Sequence, residues 1–132
     1  MSSIRPAAMA GTFYPGDASG LAAEIAAYLA DAKAPARPGR APKAIIAPHA
    51  GYVYSGPIAA SVYARLAPLR GTVERVVLAG PAHRVFVRGA AVPDADAFDS
   101  PLGAVGLDRD LLDGLRALPF VEVSARAHAF EH

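Results

Sequence analysis

Apolar positions along the chain follow two rhythms. Leu21, Ile25, Tyr28 and Leu29 recur at helical spacing behind Asp17 and Ser19, either of which can cap a helix, so an amphipathic helix is expected from about residue 18 to 31. Ala44-Ile45-Ile46-Ala47 is short, wholly apolar and bounded by Pro42 and Pro48, the pattern of a strand buried on both faces of a parallel sheet. Gly56-Pro57 predicts the opening of a second helix, capped by Ser55 or Gly56, with Ile58, Ala59, Val62, Tyr63 and Leu66 as its buried stripe. Arg75-Val76-Val77-Leu78-Ala79 reads as a second buried strand, and residues 85–92 as one strand or two short ones. Residues 93–107 have the composition of a loop. Asp108 then caps a helix carrying Leu111, Leu112, Leu115 and Leu118, and Phe120–Val123 forms a last strand.

Strands separated by helices predict an α/β fold, a mostly parallel sheet with helices on both faces. Residues 5–16, rich in Pro and Gly with Phe13 and Tyr14, read as an ordered loop. Residues 33–43 carry Lys33, Arg37, Arg40 and Lys43 among prolines and glycines; a solvated connection is the expectation, ahead of an anion-binding patch.

Composition narrows the function classes. A chain of 132 residues suits one domain, and 53% hydrophobic residues exclude a disordered chain. A formal charge of +1 gives no nucleic-acid footprint. There is no Cys, hence no disulfide and no thiolate ligand. The start, Met1 to Pro6, lacks a signal-peptide core and no apolar run reaches membrane-spanning length, so a cytoplasmic protein without membrane association is expected.

Candidate chemistry rests on histidine. His49 lies two residues past one predicted strand and His83 four past the next. In open parallel sheets, ligands bind in the crevice beyond the carboxyl ends of the strands, so the fold would deliver both imidazoles to one place. Two imidazoles suit zinc, copper or iron, but a complete site wants a third ligand. Glu131, His132, His128 and the group Asp94, Asp96 and Asp99 are the candidates within the chain. The terminal His128-Ala129-Phe130-Glu131-His132 also has the H-x-x-E-H spacing of a zinc peptidase, which would require His128 and His132 on one helical face with Glu131 as base.

Five blocks of the sequence resemble the Memo family, also called AmmeMemoRadiSam system protein B. They are Arg5-Pro6-Ala7 through Gly11-Thr12-Phe13-Tyr14-Pro15, then Ala47-Pro48-His49-Ala50-Gly51-Tyr52-Val53-Tyr54-Ser55-Gly56, Gly80-Pro81-Ala82-His83, Ser100-Pro101-Leu102-Gly103 and Glu131-His132. The resemblance implies the fold of class III extradiol ring-cleavage dioxygenases, which use non-haem iron(II). It implies His49 and His83 as metal ligands, with iron(II) first and copper or zinc as alternatives. His132 would be a catalytic site histidine beside the metal, Tyr54 a second catalytic group, and Tyr52, Tyr54 and Glu131 substrate-binding residues. The crevice would take a small molecule, or a peptide if the protein serves as a non-catalytic adaptor. Family chains are about twice as long as this one, and their third metal-associated residue, commonly a Cys, lies downstream. The chain stops inside the resembling Glu-His-Ser block, so it is expected to be the N-terminal part of a larger single domain.

Overall fold

In the computed structural model, which describes residues 3–33 and 42–132, the first helical rhythm becomes α1, Ala18–Asp31. Asp17 stands before it in extended backbone, and its carboxylate accepts from the Gly20 N–H at 2.7 Å and from the Ser19 hydroxyl at 2.6 Å. That satisfies one of the donors a helix start leaves without an intrahelical partner. Leu21 is the residue α1 buries most deeply, at 4% exposure. Of the basic run at 33–43, Arg37 and Arg40 lie outside the described residues.

The second helix, α2, begins at Tyr52 rather than at Gly56 and runs to Tyr63, with Pro57 inside it. Backbone contacts explain the early start. The Tyr52 N–H donates to the Phe13 carbonyl at 2.7 Å, and the Gly51 carbonyl accepts from the N–H groups of Tyr54 and Ser55. The start is therefore held without a side-chain cap. Pro57 removes one intrahelical bond, a cost that packing against α1 offsets. The buried face differs from the expected stripe: Ile58 and Tyr63 are exposed, whereas Ser55, Gly56 and Ala60 are buried. A Cβ at Gly56 would overlap the Tyr28 ring, so the small residue sets how closely α2 approaches α1. The Tyr28 hydroxyl lies 2.9 Å from a Glu24 carboxylate oxygen and 3.3 Å from the Tyr52 carbonyl. A 3-10 segment, Ala64–Leu69, follows α2. These elements make up one compact unit, Gly11–Val76.

The other unit, Met1–Ala10 with Val77–His132, carries every strand found among the described residues. These are β1 (Ile4–Arg5), β2 (Ala90–Val92), β3 (Ala97–Phe98), β4 (Val105–Gly106) and β5 (Val121–Val123). β1 pairs with β3 in parallel, and β4 joins β3 antiparallel; β2 and β5 form a parallel pair with Ala90 opposite Val121. Between β4 and β5 lies α3, Arg109–Arg116, with Asp108 as its cap at 3.0 Å from the Leu111 N–H. Leu112 of α3, Val92 of β2 and Ala127 are buried. The last helix, α4, is a single turn, Ala125–His128. The fold class is α/β, and the β2–α3–β5 stretch is a parallel pair with a helical crossover.

Three strand expectations change. Residues 85–92 form a strand only over Ala90–Val92, and the predicted loop at 93–107 contains β3 and β4. Residues 44–47 and 75–79 make no strand pairing among the described residues. Ile46 is 95% exposed and Leu78 84%. A strand buried on both faces needs a neighbour at its edges and a layer on each face, and the described residues supply neither to these segments.

Candidate metal centre

The chemistry gathers where the end of the α/β unit meets the segment after Pro81. Ser124 caps α4 by accepting from the Ala127 N–H at 3.2 Å, the helix ends after one turn, and Glu131 N–H returns to the His128 carbonyl at 3.3 Å. This turn aims the Glu131 carboxylate at His83. One oxygen lies 2.7 Å from His83 Nδ1; the other accepts from the His83 N–H at 2.6 Å and the Arg84 N–H at 3.1 Å. Burial pushes the Glu131 carboxyl up, but the hydrogen bonds from the His83 ring and from the two backbone N–H groups outweigh it and hold the group below its usual range.

The His132 ring stacks on the His83 ring, with centroids 4.6 Å apart and planes 28° from parallel. Each imidazole offers a ring nitrogen, and the two nitrogens lie within 4.8 Å of one another. Imidazole nitrogens bind a transition metal at about 2.0–2.1 Å, which places two of them about 3.4 Å apart around a tetrahedral ion. Imidazole is a donor type that zinc, copper and iron ions accept, so the chemistry of this pair is compatible with such an ion.

His49 lies in the other unit, exposed in the loop that leads into α2. Tyr52 opens α2, with its ring centroid 5.6 Å from that of Tyr14; burial first, then the Tyr14 phenol, raises the Tyr52 hydroxyl above its usual range. Tyr54 is 81% exposed.

The zinc-peptidase arrangement is not formed. His128 is the last residue of α4 and His132 lies beyond the helix, so the two do not share a helical face. The His128 ring turns instead to the Ala91 carbonyl, 3.2 Å away, and packs near Phe98, while Glu131 serves His83. A one-turn helix cannot carry residues four apart on one face without a further turn. Of the Asp group, Asp96 is engaged by Arg109 and by the Ser3 N–H.

In the sequence Arg5 stands out only as part of the Arg5-Pro6-Ala7 block. In the structure its Nε donates to the His128 carbonyl at 2.6 Å and its Nη2 donates to the Glu131 carbonyl, with the guanidinium 4.9 Å from the Phe98 ring centroid. No spacing rule links positions so far apart in sequence; the residue type, a planar fork suited to two acceptors, was the available signal.

No helix among the described residues is long and apolar enough to cross a membrane. A protein-family profile described as Memo-like protein matches residues 5–132. Among similar proteins, a MEMO1 family protein of Aquifex aeolicus is 37% identical over 131 residues, covering 98% of this chain and 46% of that protein. A MEMO1 family protein of Ignicoccus hospitalis is 37% identical over 98% of this chain and 48% of its own length. Protein MEMO1 of Xenopus tropicalis is 34% identical over 97% and 42%. The chain thus spans about half the length of the curated relatives it matches.

Proposed function

The chain belongs to the Memo family, and from that premise we propose that it is a metal-binding α/β protein whose ion is held by His83 and His49 beside His132. The ion we assign is iron(II), with copper or zinc as alternatives. The observation that carries this reading is the His83 ring, gripped at Nδ1 by Glu131 and stacked on His132. With no Cys in the chain, its imidazoles are the donors suited to such an ion. His49 joins the assignment on sequence grounds. Like His83 it follows a short apolar segment, and it stands in the Pro48-His49-Ala50-Gly51-Tyr52 block that resembles the family.

The activity proposed for the whole protein is oxidation of a small molecule in the manner of the extradiol ring-cleavage dioxygenases. Iron(II) bound here would supply Lewis acidity and open coordination positions. The chain's own residues would do the rest. His132, next to His83, would hold or accept a proton. Tyr52, whose phenol keeps its proton at neutral pH, would donate a hydrogen bond, and Tyr54 would orient the ligand.

Anaerobic titration of the full chain with iron(II), and separately with Co(II) as a spectroscopic probe, tests the metal assignment. Saturable binding is expected, with affinity lost in His83→Ala and in His49→Ala. Wild-type chain that binds neither ion overturns the reading, and so does a His83→Ala variant with unchanged affinity.

A further inference from the structure

We infer that Glu131 is a positioning residue that fixes which nitrogen of His83 faces a metal, and that Arg5 holds Glu131 in place for that task. The inference rests on the metal reading above and deepens it.

A carboxylate has only acceptor oxygens, so its contact with His83 at 2.7 Å places the ring proton on Nδ1. The lone pair of the neutral ring is then on Nε2, the nitrogen pointing away from Glu131. The second carboxylate oxygen accepts from the N–H groups of His83 and Arg84, so the same side chain fixes both the ring and the backbone that carries it. Glu131 is well covered, its side chain 14% exposed against 36% for His83. A carboxylate behind a metal-binding imidazole orients the ring and raises its basicity, and removal of such a group typically costs about 10- to 100-fold in metal affinity.

Glu131 lies past α4 in non-helical backbone, and that backbone has an anchor. Arg5 supplies it from β1. Its guanidinium donates to two carbonyls at once, those of His128 and Glu131, and rests over Phe98 of β3, the strand paired with β1. The residue carrying that carboxylate is therefore tied to the β1–β3 sheet. A lysine at this position has one compact ammonium and cannot reproduce the fork.

The test uses the full chain in two measurements. Long-range 1H–15N correlation spectra of the metal-free protein report the His83 tautomer. Wild-type is expected in the Nδ1–H form; Glu131→Ala is expected to shift toward the Nε2–H form, and so is Glu131→Gln, whose one amide oxygen stays with the two backbone N–H groups and turns its NH2 to Nδ1. Co(II) titration should then show affinity falling about 10- to 100-fold in Glu131→Ala. A loss is expected in Glu131→Gln as well, and a smaller one in Arg5→Lys. If wild-type His83 carries its proton on Nε2, or if Glu131→Ala changes neither tautomer nor Co(II) affinity while the wild-type chain binds Co(II), this inference fails and the metal reading survives. If the wild-type chain binds no Co(II), both fail.

Discussion

The two units of the chain are held together by different means. In the helical unit, α1 and α2 meet through small residues: Gly56 lies under the Tyr28 ring, and Ser55 and Ala60 are buried beside it. In the α/β unit, short strands of two or three residues contribute little ladder by themselves. Polar side chains close the gaps there. Arg5 spans two carbonyls, Asp96 takes Arg109 and the Ser3 N–H, and Glu131 takes three donors from His83 and Arg84. Close packing tolerates some repacking, because a ring can turn. A network of charged hydrogen bonds tolerates little, because an orphaned partner loses its solvation without compensation. The candidate metal centre draws its precision from the second kind of unit.

Paired glycine substitutions give the strongest way to break that comparison. Gly89, just before β2, has φ +95°, and a Cβ there would run into the Phe120 carbonyl oxygen, a backbone atom fixed by its bond to the Ala90 N–H. Gly89→Ala is expected to cost about 3 kcal/mol or more, combining left-handed backbone strain with a clash that cannot relax. Gly56→Ala is expected to cost less, about 1–2 kcal/mol, because the obstacle is the outer edge of the Tyr28 side chain. Urea unfolding followed by far-UV circular dichroism checks both; a Gly56→Ala loss as large as that of Gly89→Ala would remove the distinction.

The smallest effect sharpens the picture at the start of α1. The Ser19 hydroxyl, followed by the Gly20 N–H, holds the Asp17 carboxyl below its ordinary value of 3.8. A group with a lowered folded value stabilises above the ordinary one, and the contribution disappears as pH falls through the folded value. Helical ellipticity is therefore expected to hold down to about pH 4 and to decline below it, with part of that decline absent in Asp17→Asn. An acid profile identical in the two proteins would show that the cap charge contributes nothing.

What was legible in the sequence was whatever depends on neighbours within a few residues. The helix at 18–31, the Asp108 cap and the strand near 121–123 follow from local spacing and capping chemistry, and the structure has them there. The start of α2 was not legible, because a carbonyl at Phe13 replaces the side-chain cap that the sequence led one to seek at Ser55 or Gly56. The same holds for its buried face. Apolar spacing favours Ile58 and Tyr63, but what α2 buries is the face where α1 comes closest, and that face is lined with small residues. The segments at 44–47 and 75–79 have a strand-like composition, yet composition does not provide the neighbours a ladder requires.

The sequence alone determined the class of the fold, the family blocks and the choice of His49 and His83, with His132 beside them, as residues worth watching. Only the tertiary structure decided that Glu131 hydrogen-bonds His83 instead of sharing a helical face with His128 and His132, and that Arg5 is its anchor. The reason is physical. Hydrogen bonds between residues 48 and 126 positions apart leave no periodic trace in the chain, and the short range of the interaction makes it depend on where folding brings the two ends.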